Sequence, residues 1–154
     1  FSPNEGALEL VLKTIGVAKT EIRVSAYSFT SAPVTQALLA AQKRGVDVQL
    51  VADYKINFVE GNDASKAKAK SAFNALVNAG VKVRIMKVYA VHHDKIIIVD
   101  GQHVETGSFN YSDAAAHYNS ENALVMWNNP DLAKIYLKHW ASRFEQGQDY
   151  AASY

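Results

Sequence analysis

One segment of the chain concentrates side chains that can bind an anion and react with it. It reads His93-Asp-Lys95-Ile-Ile-Ile-Val-Asp100-Gly-Gln-His-Val-Glu-Thr-Gly107-Ser108-Phe-Asn110. Histidine acts as a nucleophile or proton carrier near neutral pH, and lysine supplies a point charge. Serine and asparagine add a hydroxyl and an amide donor, so the set would hold the non-bridging oxygens of a phosphodiester. No cluster of acidic residues of the kind that holds magnesium lies beside it, so the chemistry is predicted to be metal-free.

A β-hairpin is predicted to position these side chains. Asp100-Gly101 is a strong signal for a two-residue turn, and it separates predicted strands over residues 95–99 and 104–109. Such a turn places Val99 opposite Gln102 and thereby sets the register of the two strands. A shift of one residue would turn every side chain of one strand to the other face.

This register predicts a single face that carries the reactive groups. Lys95 comes to lie opposite Thr106, and His93 comes to lie opposite Ser108. Residues directly opposite each other in an antiparallel pair share a face of the sheet. Asn110 keeps the same parity, so the hairpin is predicted to gather the histidine, the lysine, the serine and the asparagine together.

The rest of the chain predicts the elements that must support the hairpin. Helices are predicted over residues 4–17, 33–44, 63–79 and 131–146, and further strands over 21–29, 46–52, 81–86 and 121–127. Alternation of strand and helix in the first half is typical of parallel strands joined by crossover helices. The sequence therefore predicts an α/β fold, with a mixed, largely parallel sheet flanked by helices on both faces, in a single domain spanning 1–154.

Composition excludes several classes of protein. The chain has 154 residues, of which 49% are hydrophobic and 20% are charged, which is typical of a folded domain. It contains no cysteine, which excludes a disulfide scaffold, a thiolate zinc site and a cysteine nucleophile. No apolar run approaches the roughly 18 residues that a membrane span needs. The net charge of +1 favours no particular partner.

The start of the sequence bears on its location. The first residue is Phe1 rather than methionine. Removal of a secretory signal would produce such a start, and so would trimming for expression. Since a chain without cysteine also suits an exported protein, the expected location is the periplasm or the medium.

The remaining histidines and the tryptophans are predicted to play structural parts. His92 and His93 are neighbours in a strand, so they point to opposite faces and cannot easily share a metal ion. Three further histidines have no partner at a characteristic spacing and are predicted to lie in solvent or in the core: His103, His117 and His139. Trp127 and Trp140 are predicted to lie in the core.

The spacing of the reactive segment resembles a known motif. His93-x-Lys95-x4-Asp100-x6-Gly107-Ser108-x-Asn110 matches the HKD motif of the phospholipase D superfamily at every defining position. With one copy of the motif, the chain is similar to the bacterial Nuc-type endonucleases of that superfamily. The resemblance is densest over residues 91–125, and it implies a phospholipase D-like α-β-α sandwich.

The resemblance also implies a role for each site residue. His93 would attack phosphorus and form a covalent phosphohistidine. Lys95 and Asn110 would bind and stabilise the phosphoryl oxygens, with Ser108 assisting. Glu121 matches the acidic residue that orients the histidine through its other ring nitrogen in family members. The reaction would be metal-independent and would need no cofactor.

The resemblance further implies a homodimer that acts on nucleic acid. Family members use two motifs per active site, so a chain with one motif would build the site on a two-fold axis, where the second His93 protonates the leaving oxygen. Asp100 falls at the hairpin turn and is expected to be structural. DNA is the expected substrate, with RNA as a further one, and no membrane partner is expected.

Two alternatives stay open at this point. The first keeps the chemistry and changes the substrate to phospholipid, although the chain offers no clear membrane-facing stretch. The second is a non-catalytic nucleic-acid-binding module on the same fold, which would have no need of a nucleophilic histidine. Release of acid-soluble nucleotides from plasmid DNA would separate the three interpretations.

Overall fold

Helices and strands alternate along most of the chain, and the computed structural model describes all 154 residues. The helices are α1 (Ala7–Gly16), α2 (Ala32–Lys43), α3 (Asp63–Asn78), α4 (Asp113–His117) and α5 (Pro130–Gln146). The strands are β1 (Glu21–Ala26), β2 (Asp47–Asp53), β3 (Lys82–Met86), β4 (Lys95–Val99), β5 (His103–Gly107), β6 (Ala123–Met126) and β7 (Gln148–Asp149). Every predicted helix and strand is present. The sequence pattern does not predict α4, β7 or a π-helical turn at Ile56–Glu60. A helix of five residues is little more than one turn, and a strand of two residues has no alternation, so neither shows a period.

The strands form one mixed sheet in the order β6-β5-β4-β1-β2-β3-β7. Strands β1, β2 and β3 are parallel neighbours, as expected where α2 and α3 serve as crossover helices. The pairings β1–β4, β4–β5, β5–β6 and β3–β7 are antiparallel. The predicted mixed α/β sheet is confirmed, and its parallel pairings are confined to the first three strands.

Helices cover both faces of the sheet and bury two apolar clusters. The larger cluster lies under α1, α2 and α3 and includes Val11, Ile15, Leu38, Phe73 and Leu76. The smaller cluster lies under α5, where Trp140 and Ala133 pack with Ile96 and Ile98 of β4. The Trp140 indole also donates a hydrogen bond to the Val24 carbonyl of β1 at 2.8 Å. These contacts fix α5 across the strands that lead to the reactive segment.

The two tryptophans differ in their surroundings. Trp140 lies in the core, as predicted. The core prediction for Trp127 is wrong, since 37% of its surface is exposed. It lies just after β6, at the end of the sheet, where Lys13 sits over its ring and His103 contacts it edge-on.

The hairpin turn forms as predicted, but the register beyond it is shifted by one residue. Asp100 and Gly101 both have positive φ, 55° and 61°, and Gln102 N–H donates to the Val99 carbonyl at 3.0 Å. However, Val99 pairs with His103, so Gln102 is an extra residue outside the ladder. One unpaired residue has the effect of a β-bulge, which changes the face that each later side chain occupies.

Because the register is shifted, the predicted pairing of the reactive residues is wrong. Ile96, not Lys95, lies opposite Thr106, and His93 precedes β4 rather than pairing with Ser108. The reactive residues are therefore not gathered by alternation along one face of the hairpin.

Candidate active site

The reactive residues are grouped at one edge of the sheet, where β1 ends and β4 begins. Ala26, the last residue of β1, lies opposite Lys95, the first residue of β4. Because β1 and β2 are parallel, β2 ends at this edge as well. Loops at the carboxyl ends of strands are where α/β sheets commonly bind ligands.

His93 lies in the loop before β4, and its side chain is exposed. Its imidazole packs against the ring of Tyr27, the residue that follows β1. The two ring centroids are 4.5 Å apart, with an angle of 61° between the planes. An exposed imidazole held by a neighbouring ring can meet a substrate directly, as a nucleophile must. Sequence reasoning did not identify Tyr27 as part of the site.

Lys95 is buried beside His93, with only 7% of its surface exposed. Its Nζ donates to the main-chain carbonyl of His93 at 2.8 Å and lies 5.1 Å from the centroid of the Tyr27 ring. Burial lowers the pKa of Lys95, while the nearby carboxylates of Asp94 and Glu121 act in the opposite direction. A partly desolvated ammonium interacts more strongly with an anionic oxygen than one surrounded by water.

Ser108 and Glu121 form a hydrogen-bonded pair beyond the end of β5. Ser108 Oγ donates to Glu121 Oε2 and accepts from the Asn122 N–H at 3.0 Å. The other carboxylate oxygen of Glu121 accepts from Asn119 Nδ2 at 3.2 Å. Within one chain, the hydrogen bonds of Glu121 thus go to Ser108 and Asn119 and not to the His93 imidazole that the resemblance implies.

Gly107 allows the chain to leave the ladder at this point. A Cβ at position 107 would lie 2.3 Å from the carbonyl oxygen of Asn122, so no side chain fits. That same carbonyl accepts from the N–H groups of both Ser108 and Phe109, at 3.1 and 3.2 Å. The motif glycine is therefore required by a close approach of two main-chain segments.

The side-chain oxygen of Asn110 makes no hydrogen bond. Its Oδ1 is buried and has no partner. An unsatisfied buried polar atom costs free energy, and native structures tolerate it mainly where function requires it. Because an amide oxygen accepts hydrogen bonds, a contact with a phosphoryl oxygen would have to come from the Nδ2 donor of Asn110.

Asp100 joins the hairpin turn to the connection between α1 and β1. Its carboxylate accepts hydrogen bonds from the N–H groups of Lys19, Thr20 and Glu21, and from the Thr20 hydroxyl, at 2.8–3.2 Å. Burial acts to raise the pKa of Asp100, but these hydrogen bonds outweigh it and the pKa lies below its ordinary value. This geometry agrees with the structural role expected for the motif aspartate.

A cavity of about 460 Å³ opens beside His93 and Lys95. Its other lining residues come from the loop before β4 and from β4, β5 and α5: Asp94, Ile96, Thr106, Gly107, Ile135, Tyr136 and His139. Ser108, Asn110 and Glu121 do not line it. The structure thus unites His93 and Lys95 in the cavity, and pairs Ser108 with Glu121 nearby.

A chain of hydrogen bonds, which the sequence did not predict, supports the loop before β4. The N–H of His92 donates to Asp53 Oδ2 at 2.8 Å, and His92 Nε2 lies 2.8 Å from Ser25 Oγ. Ser25 Oγ donates to Asp94 Oδ2 at 3.2 Å. The same oxygen of Asp94 lies 2.7 Å from His139 Nε2. No sequence signal links these residues, because the chain brings them together from β1, β2, the loop before β4 and α5.

One buried carboxyl group lies close to the site but outside the cavity. Glu105 of β5 has no exposed surface, and its Oε2 accepts from the Tyr111 hydroxyl at 2.8 Å. Burial raises the pKa of Glu105 to about 8, although the hydrogen bond from Tyr111 acts to lower it. The carboxyl group is therefore protonated at neutral pH.

Two further features of the structure concern metals and membranes. No three histidine, aspartate or glutamate side chains are arranged so that they could hold a metal ion. No helix combines the length and the apolar character that crossing a membrane requires.

Comparison with known families assigns most of the chain to one family. Residues 11–145 match the family described as cardiolipin synthase, PLD-like domain. The chain belongs to the phospholipase D family. This membership and the relatives described next indicate a hydrolytic enzyme of the phosphodiesterase class.

Two curated relatives show how far the similarity extends. Phospholipase D of Rickettsia bellii is 36% identical over 144 residues, which cover 93% of this chain and 66% of the relative. Mitochondrial cardiolipin hydrolase of Danio rerio is 30% identical over 129 residues, which cover 83% of this chain and 52% of the relative. The chain therefore spans about two thirds of the length of the first and about half of the second.

Two solved structures share the fold. The phospholipase D family member Nuc from Salmonella typhimurium is 48% identical, with a TM-score of 0.90, over 97% of this chain and 93% of its own. NucT from Helicobacter pylori has a TM-score of 0.79 over 94% of this chain and 91% of its own, at 22% identity. The similarity to Nuc extends to sequence, whereas that to NucT is evidence of fold alone.

Proposed function

We propose that the protein is a metal-independent endonuclease that hydrolyses DNA non-specifically, and RNA as well, through a covalent phosphohistidine. The observation that carries the proposal is the exposed imidazole of His93 next to the buried ammonium of Lys95 at one cavity. The first group can attack phosphorus, and the second can stabilise the charge that develops on the phosphoryl oxygens.

The first half-reaction transfers the phosphoryl group to the enzyme. A ring nitrogen of His93 attacks phosphorus, so that a P–N bond forms while the bond from phosphorus to the leaving nucleoside oxygen breaks. Lys95 and the Nδ2 donor of Asn110 bind the non-bridging oxygens, whose charge grows in the transition state. Ser108, held by Glu121, is placed to assist them. The leaving oxygen takes a proton from an acid on the opposite side of phosphorus.

We propose that this acid is His93 of a second copy of the chain. Two-fold symmetry would bring two copies of one residue to the same phosphodiester, one as nucleophile and one as acid. In the second half-reaction, water attacks phosphorus and the P–N bond breaks, returning its electron pair to the nucleophilic histidine. The proton from water goes to the second histidine, which restores both groups to their starting states.

Mixed dimers test the shared site. Wild-type and His93→Ala chains, unfolded together in equal amounts and refolded, should pair at random, so about a quarter of the dimers would be wild type on both sides. A composite site predicts activity of about a quarter of an all-wild-type sample. If each chain worked independently, about half of the all-wild-type activity would remain. That result, or an active monomer at low concentration, would contradict the shared active site.

Two candidate functions share this chemistry and differ in their substrate. Similarity to Nuc over nearly the whole length of both chains supports nucleic acid. Phospholipid is the second candidate, because curated relatives are named phospholipase D and mitochondrial cardiolipin hydrolase.

One pair of assays decides between these substrates. Wild-type protein is incubated with plasmid DNA, and separately with phosphatidylcholine–cardiolipin vesicles, each with EDTA. Our proposal predicts acid-soluble nucleotides and no loss of lipid, and it predicts no product with His93→Ala. Lipid hydrolysis without nucleotide release would establish the second candidate, and DNA binding without any hydrolysis would indicate a binding module.

We also propose that the protein is exported. A chain without cysteine has no thiol to be oxidised outside the cytoplasm, which suits the periplasm or the medium. Fractionation of cells that produce the natural gene product tests this, and recovery of all nuclease activity in the cytoplasm would contradict it.

A further inference from the structure

The cavity beside His93 has a second wall, which the reaction described above does not use. Helix α5 contributes Ile135, Tyr136 and His139 to it. Ile135 and Tyr136 are adjacent, and His139 follows them by four and three residues, so all three occupy one side of the helix. His139 is half-buried, with 38% of its side chain exposed. A histidine of α5 thus lines the same cavity as the proposed nucleophile.

His139 is held in a defined orientation by Asp94. Its Nε2 lies 2.7 Å from Asp94 Oδ2, and Ser25 Oγ donates to that same oxygen. Burial acts to raise the pKa of Asp94, but the hydrogen bond from His139 and the charge of His92 outweigh it, so the pKa lies below its ordinary value. Asp94 therefore stays negative. Its carboxylate fixes Nε2 of His139 and leaves Nδ1 as the nitrogen available to a ligand.

A cationic side chain lies one helical turn beyond His139 along α5. Arg143 follows His139 by four residues, which is about 6 Å along the helix axis. Its guanidinium lies 4.9 Å from the ring centroid of Tyr89, in the loop between β3 and β4. The two residues share one side of α5, and Arg143 is close enough to His92 to act on its pKa. This side of α5 therefore carries two nitrogen-bearing side chains one turn apart, His139 in the cavity and Arg143 beyond its lining.

We propose that His139 binds the phosphodiester adjacent to the scissile one, with Arg143 extending the contact along the same strand. The inference rests on the proposed nuclease function and specifies its substrate as a polynucleotide rather than an isolated diester. The strand would cross the cavity with its scissile phosphate at His93 and the next phosphate at Nδ1 of His139. Donation from Nδ1 to the phosphate, with Nε2 at Asp94, uses the form of the imidazole that carries a proton on both nitrogens.

The test compares two substrates with the same reacting bond type. The oligonucleotide carries neighbouring phosphates, whereas bis(p-nitrophenyl) phosphate has none. Because a charge-assisted hydrogen bond would be lost only with the oligonucleotide, His139→Gln should lower kcat/KM on it about 10-fold more than on the small diester. The additional loss of kcat/KM on the oligonucleotide should appear mainly as a higher KM for that substrate. The matched control is His117→Gln, an exposed histidine that also pairs with an aspartate, Asp113, at 3.6 Å but lies outside this cavity.

A binding measurement supplies a readout that does not depend on turnover. In the non-cleaving His93→Ala background, adding His139→Gln should weaken binding of a fluorescently labelled oligonucleotide by about 10-fold in an anisotropy titration. Equal losses of kcat/KM on both substrates would mean that His139 only positions the catalytic loop, and would overturn the inference. Kinetics and binding like those of the His117→Gln control would overturn it as well. Wild-type protein that cleaves the small diester but not the oligonucleotide would instead refute the nuclease proposal, and this inference with it.

Discussion

The buried carboxyl group of Glu105 should make the protein less stable as the pH rises. Folded Glu105 keeps its proton up to a pKa of about 8, whereas the unfolded chain releases it near 4.5. Between these values the folded state binds more protons than the unfolded state, so the free energy of unfolding falls with increasing pH. The interval of about 3.5 pH units, at about 1.4 kcal/mol per unit, corresponds to about 5 kcal/mol in all.

Substitution by a neutral side chain of the same shape should remove this dependence. Between pH 5 and pH 9, Glu105→Gln should gain about 4 kcal/mol of stability relative to wild type, because glutamine has no proton to lose. Urea denaturation at pH 5, 7 and 9 measures the difference. Glu9→Gln, which changes an exposed glutamate of α1, is the matched control and should follow wild type throughout.

The outcome bears directly on how the hairpin is packed. Parallel stability curves for wild type and Glu105→Gln would refute the reasoning, since they would mean that the carboxyl group titrates as if it were in water. A constant offset between such parallel curves would in addition measure the stability that is lost when the Tyr111 hydroxyl loses its carboxyl partner.

The remaining predictions concern the reaction and the motif. Nuclease activity should survive excess EDTA, since His93 and Lys95 replace the ions that hold the attacking and leaving oxygens in a two-metal nuclease; loss with EDTA and recovery with magnesium would contradict the mechanism. His93→Ala should lower turnover by about 10⁴-fold or more, and Lys95→Ala or Asn110→Ala by about 10²–10³-fold, in single-turnover assays; near-wild-type turnover of His93→Ala would exclude it as the nucleophile. Glu121→Gln should cost less than His93→Ala and leave the fold intact by circular dichroism. Asp100→Ala should destabilise the fold by about 2 kcal/mol at neutral pH, and less as the pH falls through the lowered pKa of Asp100, in the same urea assay.

Much of the fold was predictable because local signals agree with tertiary structure. Strand β4 begins and ends where predicted, since the apolar residues 96–99 follow Lys95 and precede Asp100-Gly101. Helix α2 begins beside the predicted residue because Ser31 caps it and Pro33 lies in its first turn. Its end also agrees, because Gly45, with φ of 92°, follows closely.

The register of the hairpin was not predictable from its turn. The expected turn is present, and the error comes from Gln102, which is left out of the ladder. The sequence alone does not show whether a residue after an Asp-Gly turn pairs or bulges, because packing of the next strand decides it. The site residues nevertheless come near one another, through the edge shared by β1 and β4 and the close approach at Gly107.

The partners of the site were the least predictable part. Tyr27 contacts His93 across the sheet edge, and His139 reaches Asp94 from α5, 45 residues away in sequence. Such pairs depend on the position of one element over another, and no periodicity within a segment encodes that. The motif identifies the reactive residues, whereas the structure is needed to identify those that hold them.

The most direct test of the central claim is to trap the covalent intermediate. A short oligonucleotide is mixed with excess wild-type protein, quenched within the first turnover under mildly alkaline conditions that preserve the P–N bond, and analysed by peptide mass spectrometry. We predict that the peptide containing His93 carries the mass of one phosphorylated fragment of the substrate, and that His93→Ala yields no adduct. Product formation in the first turnover without an adduct, or an adduct on a residue other than His93, would contradict the account.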